Sequence, residues 1–390
     1  MATNLVKEAL RRQRIETPSW AYGNSGTRFK VFAQEGIPRT PYEKIADAGQ
    51  VHRFTGVAPS VALHIPWDKV DDWAGLAQYA STVGVEIGAI NPNLFQDQIY
   101  KHGSFGNPDP EIRKHALQHT IDSIEIAHKL NSRDISMWFA DGSSYPGTAN
   151  IRQRKKWFEE ALKETHNRLY PEQRLLVEYK PFEPAFYHTD IADWGMSMHL
   201  SKLAGPQAKV LVDTGHHYQS QNIEQIVAWL LSENMLGGFH FNDRRYADDD
   251  LTLGSIDPYQ VFRIFHEILL YEWETGAKAD IAYMIDQSHN LKGKIEETIQ
   301  TVTMAQQLFA KAALVNHAAL TDAQMKCDLI RAESLLQDAF NSDVRPEIQE
   351  WRDSKGLPQD PLKAFQESGY LERITKERAE RNSRSVTSYA

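Results

Sequence analysis

Short apolar runs of five or six residues alternate along the chain with longer amphipathic stretches. The short runs are rich in β-branched and aromatic residues and predict eight strands, at residues 28–32, 61–65, 85–90, 134–139, 175–179, 208–213, 237–242 and 280–285. The amphipathic stretches predict helices, among them 110–130, 151–169, 223–234 and 258–275. Eight strands alternating with helices favour an α/β fold of the (β/α)8 TIM barrel class, and an open doubly wound sheet is the alternative.

Both ends of the chain depart from this alternation. Residues 3–14 predict a leading helix, and beyond about residue 290 helix follows helix, at 292–312, 321–340, 345–354 and 361–367. We therefore predict a catalytic barrel domain over residues 1–310 with an N-terminal helix, and a C-terminal all-helical extension over 311–390. Extensions of this kind are expected to make subunit contacts.

Composition limits the kinds of binding partner and the cellular compartment that we expect for this chain. The 390 residues include 52 acidic and 43 basic side chains, a net charge of −9, which is the wrong sign for a nucleic-acid-binding protein. Cys327 is the single cysteine, so no intramolecular disulfide can form, and a reducing, cytoplasmic compartment is expected. No signal-peptide pattern opens the chain, and no run approaches the roughly 18 apolar residues of a membrane span.

Metal-competent side chains stand at the ends of the last four predicted strands. They are Glu178, Asp213, His240 and Asp286. In a barrel the carboxyl ends of the strands form the face on which active sites are built. Three buried carboxylates would repel one another unless a cation were present, and this oxygen-rich set suits Mn²⁺, Mg²⁺ or Co²⁺. A single Asp or His at such a position is commonly a capping or core group, but four on adjacent strands predict a metal site.

A second group of ligands follows closely in the sequence. His216 lies three residues beyond Asp213, and Asp248 and Asp250 follow the seventh predicted strand. An acidic triplet in a loop is usually solvated surface, yet this loop overhangs the barrel mouth. We therefore predict a second ion held by His216, Asp248 and Asp250, with a carboxylate such as Glu178 shared between the ions.

Further side chains at the same face are candidates for contact with a substrate. Lys180 shares a strand face with Glu178 and would stabilise a developing alkoxide, the alternative being a simple Lys–Glu ion pair. His64 ends the second strand and is placed to hydrogen-bond a ring oxygen, and Ser288 follows Asp286 by two residues. Aromatic residues of the loops predict an apolar wall beside the ligand, although they would serve equally as barrel fillers: Trp20, Phe29, Trp67, Trp138, Phe139 and Phe182.

At this point the sequence resembles the L-rhamnose isomerase family, within the wider xylose-isomerase-like barrels. The resemblance covers nearly the whole chain, and its most specific segments are DGSSYPG at 141–147, EYKPFEP at 178–184, VDTGHH at 212–217, and FHFND at 239–243 with the Asp248–Asp250 triplet after it. It implies Glu178, Asp213, His240 and Asp286 as ligands of one metal. It implies His216, Asp248 and Asp250, bridged by Glu178, for the other.

The resemblance also implies an activity and an assembly. Family members are typically Mn²⁺-activated homotetramers that interconvert L-rhamnose and L-rhamnulose. The segment ending in Phe29 looks like the broad-specificity branch, in which this phenylalanine shapes a neighbouring subunit's pocket. D-allose/D-psicose, L-mannose/L-fructose and L-lyxose/L-xylulose are then further candidate sugar pairs.

The implied mechanism has His64 assist ring opening while the ions hold oxygens of the sugar. Hydrogen then passes between C1 and C2, either as a hydride or through an enediol for which Asp286 and a metal-bound water are the candidate bases. Glu178 and Lys180 are also predicted at the reacting centre. A sugar epimerase of the same superfamily is the main alternative, although that chemistry usually needs two opposed glutamates on one metal. A barrel nuclease and a non-enzymatic sugar- or metal-binding protein are the remaining alternatives.

Overall fold

Eight parallel strands close into a barrel in which each strand pairs with its neighbour in the sequence. This computed structural model describes residues 2–24, 31–183, 187–288 and 291–382. The last strand returns to the first, where Met284 pairs with Glu16. The strands are Glu16–Pro18 (β1), Ser60–Ile65 (β2), Glu86–Pro92 (β3), Asp134–Met137 (β4), Arg174–Glu178 (β5), Ala208–Asp213 (β6), Leu236–Phe241 (β7) and Ala282–Ile285 (β8). The predicted TIM barrel is confirmed.

The first strand is the one that the apolar pattern misplaced. The prediction of a strand at 28–32 was wrong for Val31 and Phe32, which belong to no barrel strand, and residues 28–30 lie outside the described residues. β1 has only three residues, Glu-Thr-Pro, so it carries no apolar alternation to detect. It is held by its pairing with β2 and β8 instead.

Helices surround the barrel and continue beyond it. In chain order they are Ala2–Arg12 (α1), Pro41–Thr55 (α2), Trp73–Thr82 (α3), Pro110–Lys129 (α4), Ile151–Asn167 (α5), Trp194–Ala204 (α6), Ile223–Ser232 (α7), Pro258–Thr275 (α8), Lys294–Ala312 (α9), His317–Met325 (α10), Leu329–Asn341 (α11), Arg345–Ser354 (α12), Pro361–Glu367 (α13) and Tyr370–Asn382 (α14). The caps read from the sequence are present. Asp109 accepts a hydrogen bond from the Glu111 amide and Asp257 one from the Gln260 amide, each directly before a proline. Among the described residues, no helix is long and apolar enough to cross a membrane.

The alternation of side chains along the strands separates two cores. In β5, Leu175 and Val177 belong to the large core between strands and helices, whereas Leu176 belongs to a small core inside the barrel. Glu178 comes two residues after Leu176 and therefore faces the interior. The barrel is thus filled by apolar side chains below and carries polar ones at its carboxyl end.

The described residues of the C-terminal extension form helices that pack back onto the barrel. The helix predicted at 321–340 is two helices, α10 and α11, separated at Cys327, where φ is +55°, and α14 was not predicted. The terminal helix α14 reaches α2, where Arg378 forms two hydrogen bonds of 2.9 and 3.0 Å with Asp47 and one of 2.7 Å with the Gly36 carbonyl. Tyr370 donates a further hydrogen bond to Asp47 at 2.7 Å. A buried ion pair therefore fastens the end of the extension to the first barrel helix.

Replacing Arg378 with methionine is expected to destabilise the protein by about 3–5 kcal/mol, because it leaves the buried Asp47 carboxylate without its counter-charge. The measurement is the free energy of unfolding in urea. Arg373→Met, on the exposed face of the same helix, is the control and should cost no more than about 0.5 kcal/mol. Equal stability of the two variants would contradict the assignment of Arg378 as the fastening residue.

Candidate metal centre

Strand register brings four metal-competent side chains together at the carboxyl end of the barrel. Asp213 ends β6 directly opposite His240 on β7, Glu178 ends β5, and Asp286 follows β8. One ligand atom of each lies within 4.8 Å of the others. His240 Nδ1 stands 3.2 Å from Glu178 Oε1, 3.7 Å from Asp286 Oδ2 and 4.0 Å from Asp213 Oδ2. This first cluster has the composition predicted for one metal.

A second cluster adjoins the first and shares a residue with it. Ligand atoms of Asp213, His216 and Asp248 also lie within 4.8 Å of one another. His216 Nε2 is 3.3 Å from Asp248 Oδ2 and 3.9 Å from Asp213 Oδ2. Because His216 Nδ1 donates to the Tyr179 carbonyl at 2.9 Å, the other nitrogen is the one directed at the carboxylates.

The residue that joins the two clusters differs from the expected one. Asp213 is common to both groups, whereas Glu178 approaches the second through His216, with 3.3 Å between Oε1 and Nδ1. Among the described residues, Asp250 belongs to neither group. It has a left-handed backbone with φ of +47° and contacts Asp248, and burial together with Asp248 raises its pKa well above the usual range. A bridging Glu178 and an Asp250 ligand stay predictions.

Within the two clusters, two buried carboxylate oxygens have no hydrogen-bond partner among the described residues. Asp213 Oδ1 accepts from the Gly215 amide and from Asn242, but its Oδ2 has no partner. Asp248 Oδ2 accepts from Lys180, but its Oδ1 has none. Native proteins rarely leave such atoms unsatisfied unless an ion or water completes them. The donor set therefore fits divalent cations, as oxygen and imidazole ligands suit Mn²⁺ or Mg²⁺.

The pKa values of the clustered side chains reflect the same crowding of negative charge. Burial raises the pKa of Asp213 to about 7, and the neighbouring carboxylates add to that increase. Burial alone would lower the pKa values of His240 and His216, but nearby carboxylates raise them to about 9 and about 10. Without a cation, protons on the two imidazoles balance the carboxylates.

Lys180 forms ion pairs beside the second cluster. Its ammonium donates to Asp248 at 2.7 Å and to Glu183 at 2.9 Å, and it lies 5.1 Å from the centre of the Trp138 ring. Burial opposes its charge, yet Asp248 and Glu183 raise the pKa of Lys180. The lysine is therefore a fixed positive charge at the mouth of the site.

Aromatic side chains form the opposite half of the mouth, at the ends of β1 to β4. The His64 ring lies 4.1 Å from Trp67, 5.3 Å from Trp20 and 5.8 Å from Phe95. Phe95 in turn contacts Trp138 at 4.7 Å. Burial, with Lys44 and His119 adding to it, lowers the pKa of His64 to about 3, so this imidazole is neutral. Its Nδ1 is buried and has no partner among the described residues.

The remaining candidates fall in different places. Phe139 was wrongly assigned to the wall: it packs at 5.1 Å against Phe158 in the core outside the barrel. Phe182 is half-buried and contacts Tyr218, and both line a cavity of about 240 Å³ together with Lys180, His216 and Asp248. Ser288 is half-buried two residues after Asp286. Phe29 lies outside the described residues.

Three functional contacts escaped the sequence reasoning. The Trp20 indole donates to Asp286 Oδ1 at 2.8 Å, and Asn242 donates to Asp213 at 3.0 Å. Phe95 completes the aromatic half. Asn242 carried a detectable signal, since it lies two residues beyond His240 in the strand alternation. The other two contacts join segments far apart in the sequence and left no local pattern.

Comparisons with known proteins agree with this architecture. A family model described as xylose isomerase-like TIM barrel matches residues 43–284. A probable sugar isomerase of Rhizobium meliloti (strain 1021) is 38% identical over 378 residues, which cover 96% of this chain and 88% of that protein. A probable sugar isomerase of Mesorhizobium japonicum is 37% identical over 383 residues, covering 97% and 89%. A solved L-ribulose 3-epimerase shares the fold, with a TM-score of 0.55 at 12% identity over 82% of this chain and 98% of that one.

Mn²⁺ is expected to raise the melting temperature of the wild-type protein and not that of Asp213→Asn. At free Mn²⁺ about a hundred times the Kd, binding adds about 2.7 kcal/mol of stability. Asp213 contributes to both clusters, so its amide analogue removes this gain. The control is Asp249→Asn, the middle residue of the triplet, whose side chain accepts hydrogen bonds from the Arg245 and Tyr246 amides, as an asparagine can. A full Mn²⁺ shift in Asp213→Asn would refute the metal assignment.

In EDTA, the stability of the protein is expected to fall as the pH rises from about 6.5 to 9. The pKa values of His240 and His216 are raised to about 9 and about 10, so the stability they contribute is complete below about pH 6.5 and is lost as the pH rises through those values. Mn²⁺ competes with the same protons, so its stabilising effect should grow over this range. Urea unfolding at several pH values measures both trends. His216→Gln should flatten the slope, and an unchanged slope would contradict this account.

Proposed function

This chain belongs to the xylose isomerase-like TIM barrel family, and from that premise we propose that it is a metal-dependent aldose–ketose isomerase interconverting L-rhamnose and L-rhamnulose. It acts on a small sugar, as a sugar isomerase or epimerase of this superfamily. The two relatives that match nearly its whole length are probable sugar isomerases, which supports the isomerase class.

The observation that carries the proposal is the pair of adjoining ligand groups joined by Asp213, each with a buried carboxylate oxygen left unsatisfied. Glu178, Asp213, His240 and Asp286 would hold one ion, and His216, Asp248 and Asp250, with a shared carboxylate, the other. Bound Mn²⁺ ions, or Co²⁺ or Mg²⁺ in their place, would act as Lewis acids toward adjacent oxygens of the sugar. The two groups are close enough for one small substrate to meet both.

Side chains around the two clusters would bind the sugar and move protons. His64 is neutral, so its imidazole has both a donor and an acceptor nitrogen and can exchange a hydrogen bond with the ring oxygen to assist ring opening. Trp67 and Trp138, with Ser288 and the Phe29 segment, would contact the sugar. Lys180 supplies a fixed positive charge toward a developing alkoxide. Asp286 follows β8 within the first cluster and is the proposed base if transfer between C1 and C2 passes through an enediol.

The make-up of the first cluster favours isomerisation over epimerisation. It offers one glutamate, two aspartates and one histidine, whereas a 3-epimerase usually sets two glutamates across one metal. The shared fold with an epimerase at 12% identity does not bear on the reaction. D-allose/D-psicose, L-mannose/L-fructose and L-lyxose/L-xylulose are proposed as further pairs, and the working enzyme as a cytoplasmic homotetramer.

A panel of aldoses with Mn²⁺, scored for ketose by chromatography, tests the proposal. L-rhamnose is expected to yield L-rhamnulose. EDTA, which removes the ions, and Glu178→Gln, which removes a metal ligand, should each lower the rate at least about 100-fold. Asp249→Asn should keep wild-type activity. Formation of a C3 epimer from a ketose, without aldose formation, would indicate an epimerase instead. No product from any deoxyhexose or aldohexose would refute the isomerase.

A further inference from the structure

We infer that Asp68, buried behind the aromatic half of the mouth, is a positioning residue that fixes His64 on one side and the Trp20–Asp286 pair on the other. The inference rests on the proposed function for the roles of His64 and Asp286. Asp68 touches neither the metal clusters nor the cleft, so it acts through the residues it holds.

Asp68 has no exposed surface, and both of its carboxylate oxygens are engaged. Oδ2 accepts a hydrogen bond from the His64 backbone amide at 2.8 Å and another from the Ser19 hydroxyl. Oδ1 accepts from the Lys44 ammonium at 2.8 Å. The Asp68 amide donates back to the His64 carbonyl at 2.8 Å. One carboxylate therefore ties together the end of β2, the turn after β1 and helix α2.

The tie to Ser19 extends to the metal cluster. Ser19 opens the short 3-10 helix Ser19–Tyr22, so fixing its hydroxyl fixes the next residue, Trp20. The Trp20 indole donates to Asp286 Oδ1 at 2.8 Å, and its ring edge meets the His64 ring. Hydrogen bonds of this kind orient a ligating carboxylate and typically change metal affinity or activity about 10–100-fold when they are lost.

The tie to His64 matters because its Nδ1 has no hydrogen-bond partner among the described residues. The position of the ring therefore depends on its backbone and on packing against Trp67 at 4.1 Å, Trp20 at 5.3 Å and Phe95 at 5.8 Å. Asp68 holds that backbone and is also the residue next to Trp67. Loss of the carboxylate would release the ring and its packing partner together.

A purely structural role is the rival explanation, since Lys44 and Asp68 form a buried ion pair in their own right. Asp47, three residues after Lys44 on helix α2, supplies a matched control. Asp47 is as deeply buried and is paired with Arg378 and Tyr370 of α14. Breaking the Asp47 pair should destabilise the fold comparably without touching His64 or Trp20.

The experiment compares Asp68→Asn, Asp47→Asn and Ser19→Ala with wild type. Melting temperature, kcat, KM and the Mn²⁺ Kd are measured well below the lowest melting temperature. Asp68→Asn and Asp47→Asn should both melt earlier. Of these two variants, Asp68→Asn alone should lose kcat, by about 10–100-fold, with KM changed less than about threefold, and bind Mn²⁺ about tenfold more weakly.

Ser19→Ala removes one hydroxyl and leaves the Lys44–Asp68 ion pair intact. This variant therefore still tests the inference if Asp68→Asn does not fold. It should keep the wild-type melting temperature within a few degrees and still weaken Mn²⁺ binding and lower kcat at least threefold. Wild-type kcat and Mn²⁺ affinity in Ser19→Ala, or equal losses in Asp68→Asn and Asp47→Asn, would overturn the inference. Absence of isomerase activity in the wild type would refute the proposed function instead, while the Mn²⁺ affinities would still test the link through Trp20.

Discussion

The crowding of carboxylates at the carboxyl ends of β5 to β8 is the constraint on which the rest of the site depends. Glu178 and Asp213 are almost fully buried, and Asp248 and Asp286 are only partly exposed. Like charges in such a place cannot all ionise without cations or protons near them. The imidazoles of His216 and His240 meet this demand in the metal-free protein, since the carboxylates raise the pKa values of both. The same geometry makes the cluster a receptor for divalent ions.

Much of this arrangement could be predicted, because the sequences of β5 to β8 have strong local patterns of apolar residues. Their apolar alternation places Glu178 on the interior face beside Leu176, and the strand ends in the sequence coincide with the strand ends in the barrel within two residues. β1 escaped because three residues that include a glutamate and a proline have no period to detect. Its place is set by hydrogen bonds to β2 and β8, which are tertiary interactions.

Which side chain meets which within the site was less accessible from the sequence. A shared Glu178 stays a prediction, whereas no sequence pattern indicated that Asp213 is common to both clusters, where the pairing of β6 with β7 sets it opposite His240. Lys180 shares a strand face with Glu178, yet its ammonium reaches Asp248 in the β7 loop. Such contacts depend on loop conformations, which the sequence pattern does not predict. Asp250, for example, adopts a left-handed backbone conformation that its residue type does not predict. Asp68 and Trp20 make their contacts with neighbouring elements that are distant in the sequence, so their own segments carry no pattern that predicts these contacts.

The mouth therefore divides into a charged half on β5 to β8 and an aromatic half on β1 to β4. Histidine shows the contrast. Burial, with Lys44 adding to it, lowers the pKa of His64 to about 3, whereas Glu178 outweighs burial and raises the pKa of His240 to about 9. A sugar presents hydroxyl groups along its edges and C–H bonds on its faces, so it can meet both halves at once. In the part of the chain that the structure describes, the halves contact each other through Trp20 with Asp286 and through Trp138 with Lys180. These contacts between an aromatic ring and a charged side chain add to the strand pairing that sets His64 opposite the metal-holding groups.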